Sequence, residues 1–120
     1  MSRIAQCACG ACTITVAGEP QQHNVCHCTN CKRRTGSAFG ISTYFLRADV
    51  VDMKGETGVY AFHHKVWNQD QERHFCARCG TTLFWYMSSR PTLVGIAGGC
   101  FDEGSLGEPT FSANDSQRTV

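Results

Sequence analysis

Arg73-His74-Phe75-Cys76-Ala77-Arg78-Cys79-Gly80-Thr81-Thr82-Leu83-Phe84-Trp85-Tyr86 is the stretch on which the fold turns. Two cysteines three positions apart are followed by a glycine. That glycine lets the backbone take a left-handed turn, so both thiolates can reach one metal ion. A redox dithiol has the same spacing, but it opens a helix inside a βαβ unit. Here Thr81–Met87 reads as a strand instead, with aromatic residues in the pattern of a pleated surface. The knuckle is therefore read as a metal site on a β scaffold.

Its partner lies at the other end of the chain, in Cys7-Ala8-Cys9-Gly10. On a strand, positions i and i+2 share a face, so both sulfurs can lean onto one ion with a zinc–sulfur length of about 2.3 Å. A disulfide at that spacing would be strained. Together the two groups supply four thiolates, the set for a closed, structural zinc at Cys7, Cys9, Cys76 and Cys79. An ion closing so long a loop constrains the chain strongly. Structural zinc binds with ~10–16 kcal/mol, comparable to the ~5–15 kcal/mol net stability of a whole domain.

A third group, Cys26-His27-Cys28-Thr29-Asn30-Cys31, leaves three thiols over. Cys26 and Cys28 are expected on one strand face, with Cys31 returning from a first helical turn. Three protein ligands and an open fourth position are the mark of a catalytic zinc. Cys26, Cys28 and Cys31 are thus the expected second zinc site and, through the metal, the catalytic residues. If the site is instead closed, its fourth ligand comes from Cys12, Cys100, His23, His63, His64 or His74. Cys12 shares a face with Ile14 and Val16 and reads as a core residue. Cys100 reads as a core or strand-end residue. His27 should point away from its neighbours, His74 should border the four-cysteine site, and His63 and His64 read as a surface pair. Lys32, Arg33 and Arg34 come directly after Cys31. They either compensate thiolate charge or hold a substrate carboxylate, and Lys32 and Arg33 are the expected substrate-binding residues.

The rest of the chain agrees with a mainly β fold. Strands are predicted over 12–16, 39–45, 50–53, 59–63, 73–76, 81–87 and 92–96, with turns at 18–20, 54–58 and 88–91. A helix of one or two turns is predicted over 29–35, capped by Thr29 or Asn30 and stopped by Gly36. One zinc-binding domain over 1–120 is expected, with 107–120 a polar tail that can be loosely held. Of the 120 residues, Ile, Leu, Val and Phe make up about a fifth, a thin supply for a core that crosslinking by metal would supplement. Eleven basic and ten acidic residues give a net charge of +1. That leaves no electrostatic footprint for nucleic acid or an anionic membrane. The first residues carry no signal-peptide pattern and no run is long enough to span a bilayer. Nine cysteines in such a chain point to a reducing cytoplasm and to metal rather than disulfides.

With these residues placed, the pattern resembles the glutathione-dependent formaldehyde-activating enzyme family, whose vertebrate relatives include centromere protein V. The matching text is Cys7-x-Cys9-Gly10, Gly18-Glu19-Pro20, Cys26-x-Cys28-x-x-Cys31-Lys32-Arg33-x-Thr35-Gly36-Ser37, Lys54-Gly55-Glu56 and Arg73-x-Phe75-Cys76-x-x-Cys79-Gly80-Thr81. It spans about residues 5 to 106, in the family's order. The resemblance implies a β-tent fold of short antiparallel strands around zinc, with two zinc ions per chain. It implies a structural zinc at Cys7, Cys9, Cys76 and Cys79, and a second at Cys26, Cys28 and Cys31 completed by the thiol of glutathione. The implied activity is that of a carbon–sulfur lyase, an S-(hydroxymethyl)glutathione synthase acting on glutathione and formaldehyde. Cys12 stands where the family usually has an aliphatic strand residue.

Two readings from other classes compete. One is a non-catalytic zinc module that binds a protein partner; a site closed by a protein ligand, or without metal, would favour it. The other is a rubredoxin-type iron protein, which needs two C-x-x-C-G knuckles and would be red. Tyr44, His63, His64 and Arg33 are the candidate donors to an oxyanion in the enzyme reading.

Overall fold

The computed structural model describes residues 2–65, 67–102 and 104–120. Its elements in chain order are β1 (Ser2–Gln6), β2 (Thr13–Ala17), β3 (Gln22–Cys26), α1 (Thr29–Thr35), β4 (Gly40–Leu46), β5 (Val50–Lys54), β6 (Thr57–His64), β7 (Gln69–Cys76), β8 (Thr82–Met87), β9 (Leu93–Ala97) and β10 (Phe111–Ala113). The fold is mainly β, as the sequence led us to expect. Three strands form a small sheet in the order β1-β2-β5, and seven form a second in the order β10-β3-β4-β9-β8-β7-β6. Pairing is antiparallel except at β10, which runs parallel to β3. No described helix is long and apolar enough to cross a membrane.

The core lies between the sheets. Ala5, Ile14 and Val16 from the small sheet pack with Phe45, Val94 and Ile96 from the large one, and all six are fully buried. Cys7, Cys12 and Cys76 belong to the same cluster. The core thus runs directly into the four-cysteine group.

The other face of the large sheet builds the cavity, and one cross-strand row runs across it. Gln22 pairs with Tyr44, Tyr44 with Gly95, Gly95 with Trp85, Trp85 with Arg73 and Arg73 with Tyr60. Residues in register share a face. The bare backbone at Gly95 makes room for the floor of this face: a Cβ there would lie 2.1 Å from Trp85 Nε1. The Trp85 indole therefore packs against the Gly95 backbone of β9.

Three strands escaped the sequence reading. β1 and β3 open on runs of polar residues, Ser2-Arg3 and Gln22-His23-Asn24, and β10 is only three residues long. β7 begins four residues earlier than predicted, because its exposed Asp70 and Glu72 disguise an alternation of Gln69, Gln71 and Arg73. The polar tail makes specific contacts with the rest of the chain. β10 pairs Phe111 with Asn24 and Ala113 with Cys26. Gln117 Oε1 accepts from Thr29 N–H at 2.9 Å, and Lys32 Nζ donates to Gln117 O at 2.7 Å.

Gly95→Ala should displace Trp85 and destabilise the fold by about 1–3 kcal/mol, the usual cost of overpacking. A urea midpoint lowered accordingly, with altered tryptophan emission, is the expected result.

Candidate active site

All nine cysteines are free thiols, and seven meet in two groups. In each group the ligand atoms lie within 4.8 Å of one another. In the four-cysteine group, Cys7 Sγ is 3.8 Å from Cys9 Sγ, and Cys9 Sγ is 3.7 Å from Cys76 Sγ. A tetrahedron with metal–sulfur arms of about 2.3 Å has edges of about 3.8 Å, whereas a disulfide needs about 2.05 Å. The thiol set therefore fits a tetrahedral ion.

The two loops of this group are built alike. Cys7 N–H donates to Cys12 O at 3.1 Å and Cys76 N–H to Thr81 O at 2.9 Å. Gly10 and Gly80 turn the chain at φ of 81° and 79°, a conformation that favours glycine. Backbone amides point at the sulfurs: Cys12 N–H to Cys7 Sγ at 3.2 Å and Arg78 N–H to Cys76 Sγ at 3.4 Å. Such donors favour the thiolate form. Thr81 Oγ1, 3.2 Å from Cys79 Sγ, helps push the Cys79 thiol down to about 5. Cys12, by contrast, is fully buried behind the group. Burial and its neighbouring thiols push it up to about 12, so it stays a protonated core thiol. Cys7 and Cys9 were expected on a strand, but β1 ends at Gln6 and both lie in the turn.

In the three-cysteine group, Cys26 ends β3, Cys28 caps α1 and Cys31 sits in its first turn. The cap is thus Cys28, where Thr29 or Asn30 was predicted, and its sulfur accepts from Cys31 N–H at 3.3 Å. Asn114 Nδ2 donates to Cys26 Sγ, also at 3.3 Å. Hydrogen bonds from Cys28 and Cys31 hold the Cys26 thiol far down, at about 2, and the same bonds push both donors up. Without metal, one thiolate would be shared among three sulfurs.

Among the described residues no further Cys, His, Asp or Glu joins this group. Of the expected candidates, His23, His63 and His74 are engaged elsewhere. His23 bonds Thr43 at 2.9 Å, and His74 stacks on Phe84 and bonds Glu72 at 3.0 Å. His63 pairs with Asp70 at 2.9 Å. His27 is buried, facing Phe39 and, at 3.8 Å, Asp115. His64 is the correction: it is no surface residue but is buried and lines the cavity. Successive strand residues point to opposite faces, so His64 meets the cavity face while His63 points to the other.

Cys26, Cys28 and Cys31 line a cavity of about 210 Å³. Facing them are Tyr44, His64, Trp85, Arg34, Arg73 and Arg90. Of the basic run after Cys31, only Arg34 reaches this cavity. Arg33 is exposed, and Lys32 holds the tail. The expectation of Lys32 and Arg33 at the substrate thus meets a helix that turns both away from it. Arg34 is seated over Gly40, where a Cβ would lie 2.7 Å from its Nη2, and its guanidinium stands 4.5 Å from the Trp85 ring centroid.

The description "Glutathione-dependent formaldehyde-activating enzyme" matches residues 2–115. The chain belongs to this family. A Halomonas elongata protein named "Putative glutathione-dependent formaldehyde-activating enzyme" is 30% identical over 91 residues, 73% of this chain. The match spans 58% of that relative's length. The crystal structure of a Rhodobacter sphaeroides protein shares the fold, with a TM-score of 0.67 at 24% identity, covering 92% of this chain and 99% of the other.

In this family member, sequence reading missed Arg73, Arg90 and Trp85 as cavity residues. The signal for Arg73 was present, in the period-two alternation of Gln69, Gln71 and Arg73. Arg90 comes from the loop after β8, where no pattern points to it.

Protein purified under reducing conditions should carry close to two metal ions per chain. Cys79→Ser and Cys31→Ser should each remove one, and only the first should collapse cooperative unfolding. Elemental analysis with a thermal melt checks both.

Proposed function

We propose that the chain is a zinc-dependent carbon–sulfur lyase that joins and releases a thiol, glutathione foremost, and a small aldehyde such as formaldehyde. The observation that carries this reading is a three-thiol group lining a cavity with no fourth protein ligand among the described residues. Family membership supports the same substrates. In this reading Cys7, Cys9, Cys76 and Cys79 hold a structural zinc, and Cys26, Cys28 and Cys31 hold the second. Zinc, when bound by these three, would supply the Lewis acidity that keeps a thiol ionised below its usual pKa of about 8.5. Free thiols throughout the chain suit a reducing, cytoplasmic setting.

The chain's own residues then have defined tasks. In the adduct reaction the thiol sulfur bonds to the carbonyl carbon, and the C=O π pair moves to oxygen. The proton lost by the thiol ends on that oxygen, giving the S-hydroxymethyl adduct; the reverse reaction returns both reactants. The cavity walls bring the two reactants together, which supplies much of the rate. Tyr44 is the donor to the developing oxyanion. Burial holds its phenol above the ordinary tyrosine range, so it keeps its proton. Trp85 Nε1–H donates to its oxygen at 3.5 Å, while its own proton meets only Met87 Sδ at 3.9 Å. That weak bond is readily exchanged for one to an oxyanion. His64 is a second donor. Burial pushes its pKa down, and its Nδ1 accepts from Trp67 N–H at 3.3 Å. The neutral ring therefore carries its proton on Nε2.

Exchange between formaldehyde and its glutathione adduct, followed by NMR, tests the proposal. The wild-type chain should exceed the spontaneous rate. Cys31→Ser should abolish the excess, and Tyr44→Phe should cut it by about 10²-fold, as loss of an oxyanion donor does elsewhere. No excess over the spontaneous rate in two-metal protein would leave the chain a zinc-binding module.

A further inference from the structure

Three guanidinium groups share the cavity without a counter-ion. Among the described residues no aspartate or glutamate lines it, and none of the ion pairs involves Arg34, Arg73 or Arg90. Each of the three places its guanidinium carbon over an aromatic ring: Arg34 over Trp85 at 4.5 Å, Arg73 over Phe62 at 4.7 Å and Arg90 over Tyr44 at 5.2 Å from the centroid. Arg90 also donates to Gln22 Oε1 at 3.0 Å. Arg34 Nη2 and Arg73 Nε are buried and have no partner. A buried N–H left unbonded is costly, more so on a charged group. Burial disfavours the charge on Arg73, and Arg34 nearby disfavours it further.

The metal group does not balance these charges. Three thiolates around a divalent ion carry one net negative charge, against three guanidiniums. A stacked guanidinium offers its edge as a two-pronged donor, the geometry a carboxylate matches. The cavity is small, so a group reaching Arg34 or Arg73 lies close to the three sulfurs.

We propose that Arg34 and Arg73 form a carboxylate clamp beside the three-cysteine group, making the thiol substrate one that carries its own carboxylate. This rests on the thiol-adduct reading of the site and deepens it. The class is that of cysteinyl peptides and mercapto acids. A simple alkyl thiol lacks the anionic group that two guanidiniums without a counter-ion attract. Arg90, already bonded to Gln22, borders the outer part of the same anion-attracting surface.

The test uses the metal-loaded full chain and the emission of Trp85 and Trp67, both of which line the cavity. Three probes are titrated: glutathione, S-methylglutathione (carboxylates without a free thiol) and glutathione diethyl ester (a thiol without free carboxylates). The ester should bind at least tenfold more weakly than glutathione. S-methylglutathione should bind the wild type and lose at least tenfold affinity in Arg73→Met and in Arg34→Met. Arg73→Lys should recover part of that loss. Unchanged metal content and melting temperature establish that each variant folds. An ester that binds as tightly as glutathione overturns the clamp, and so does an Arg73→Met variant that weakens ester and acid alike. Glyoxylate, a carbonyl compound with a carboxylate, is the last arm. Arg73-dependent binding of glyoxylate with no ester effect would move the clamp to the carbonyl partner and overturn the assignment to the thiol. The two proposals fail separately. Carboxylate-dependent binding without accelerated exchange sinks the lyase and keeps the clamp, and full exchange with the ester does the reverse.

Discussion

Cys9 and Cys76 are 67 residues apart in sequence and 3.7 Å apart at their sulfurs. That approach is the constraint on which the rest of the molecule depends. It fastens the turn after β1 to the end of β7, and so holds the small sheet against the large one. The apolar supply is thin, and Cys7, Cys12 and Cys76 are themselves part of the buried cluster. An ion at the four thiols would act at the edge of that cluster. Without it, four sulfurs would crowd one another at the edge of that core. Its contribution grows with the length of chain it closes.

Once the sheets are fixed, the cavity is set by the strand register. One face of the large sheet serves the core and the other is left to the site. Glycines decide how deep that second face is. Gly95 lets Trp85 lie across β9, and Gly40 lets Arg34 lie across β4. Each close approach exchanges a side chain for the flat surface of a neighbour. The result is a floor of aromatic rings with cations stacked on it, next to three sulfurs delivered by a strand end and a helical turn.

Much of this was legible in the sequence where the chemistry is local. The spacing of Cys76, Cys79 and Gly80 determined both the turn and the strand after it, and seven cysteines sorted into the two groups that the fold brings together. The polar strands were not legible. β3 and β10 carry few apolar residues, and their pairing rests on partners far along the chain. The basic run was read by composition alone, which cannot tell Arg33 from Arg34. One step along a helix is about 100° of rotation, and that step separates an exposed side chain from one that lies over Trp85. Arg73 and Arg90 come to the cavity from strands and loops far from the cysteines, so no local pattern ties them to the site.

The two cysteine groups differ in what an ion could do for the fold. The four-thiol set spans most of the chain. The three-thiol set spans only Cys26 to Cys31, a segment already ordered by the Cys28 cap and the Asn114 contact. Closing so short a loop removes little entropy from the unfolded chain, so stability is a poor reason for gathering three thiols there. The surroundings of the group differ as well. It lines a cavity beside unpaired cations, a phenol that keeps its proton and a neutral imidazole. Three thiols beside an open space leave room for a further ligand, and guanidiniums without a counter-ion favour one that is an anion. The two cysteine groups thus differ in the length of loop each would close and in what stands on the open side.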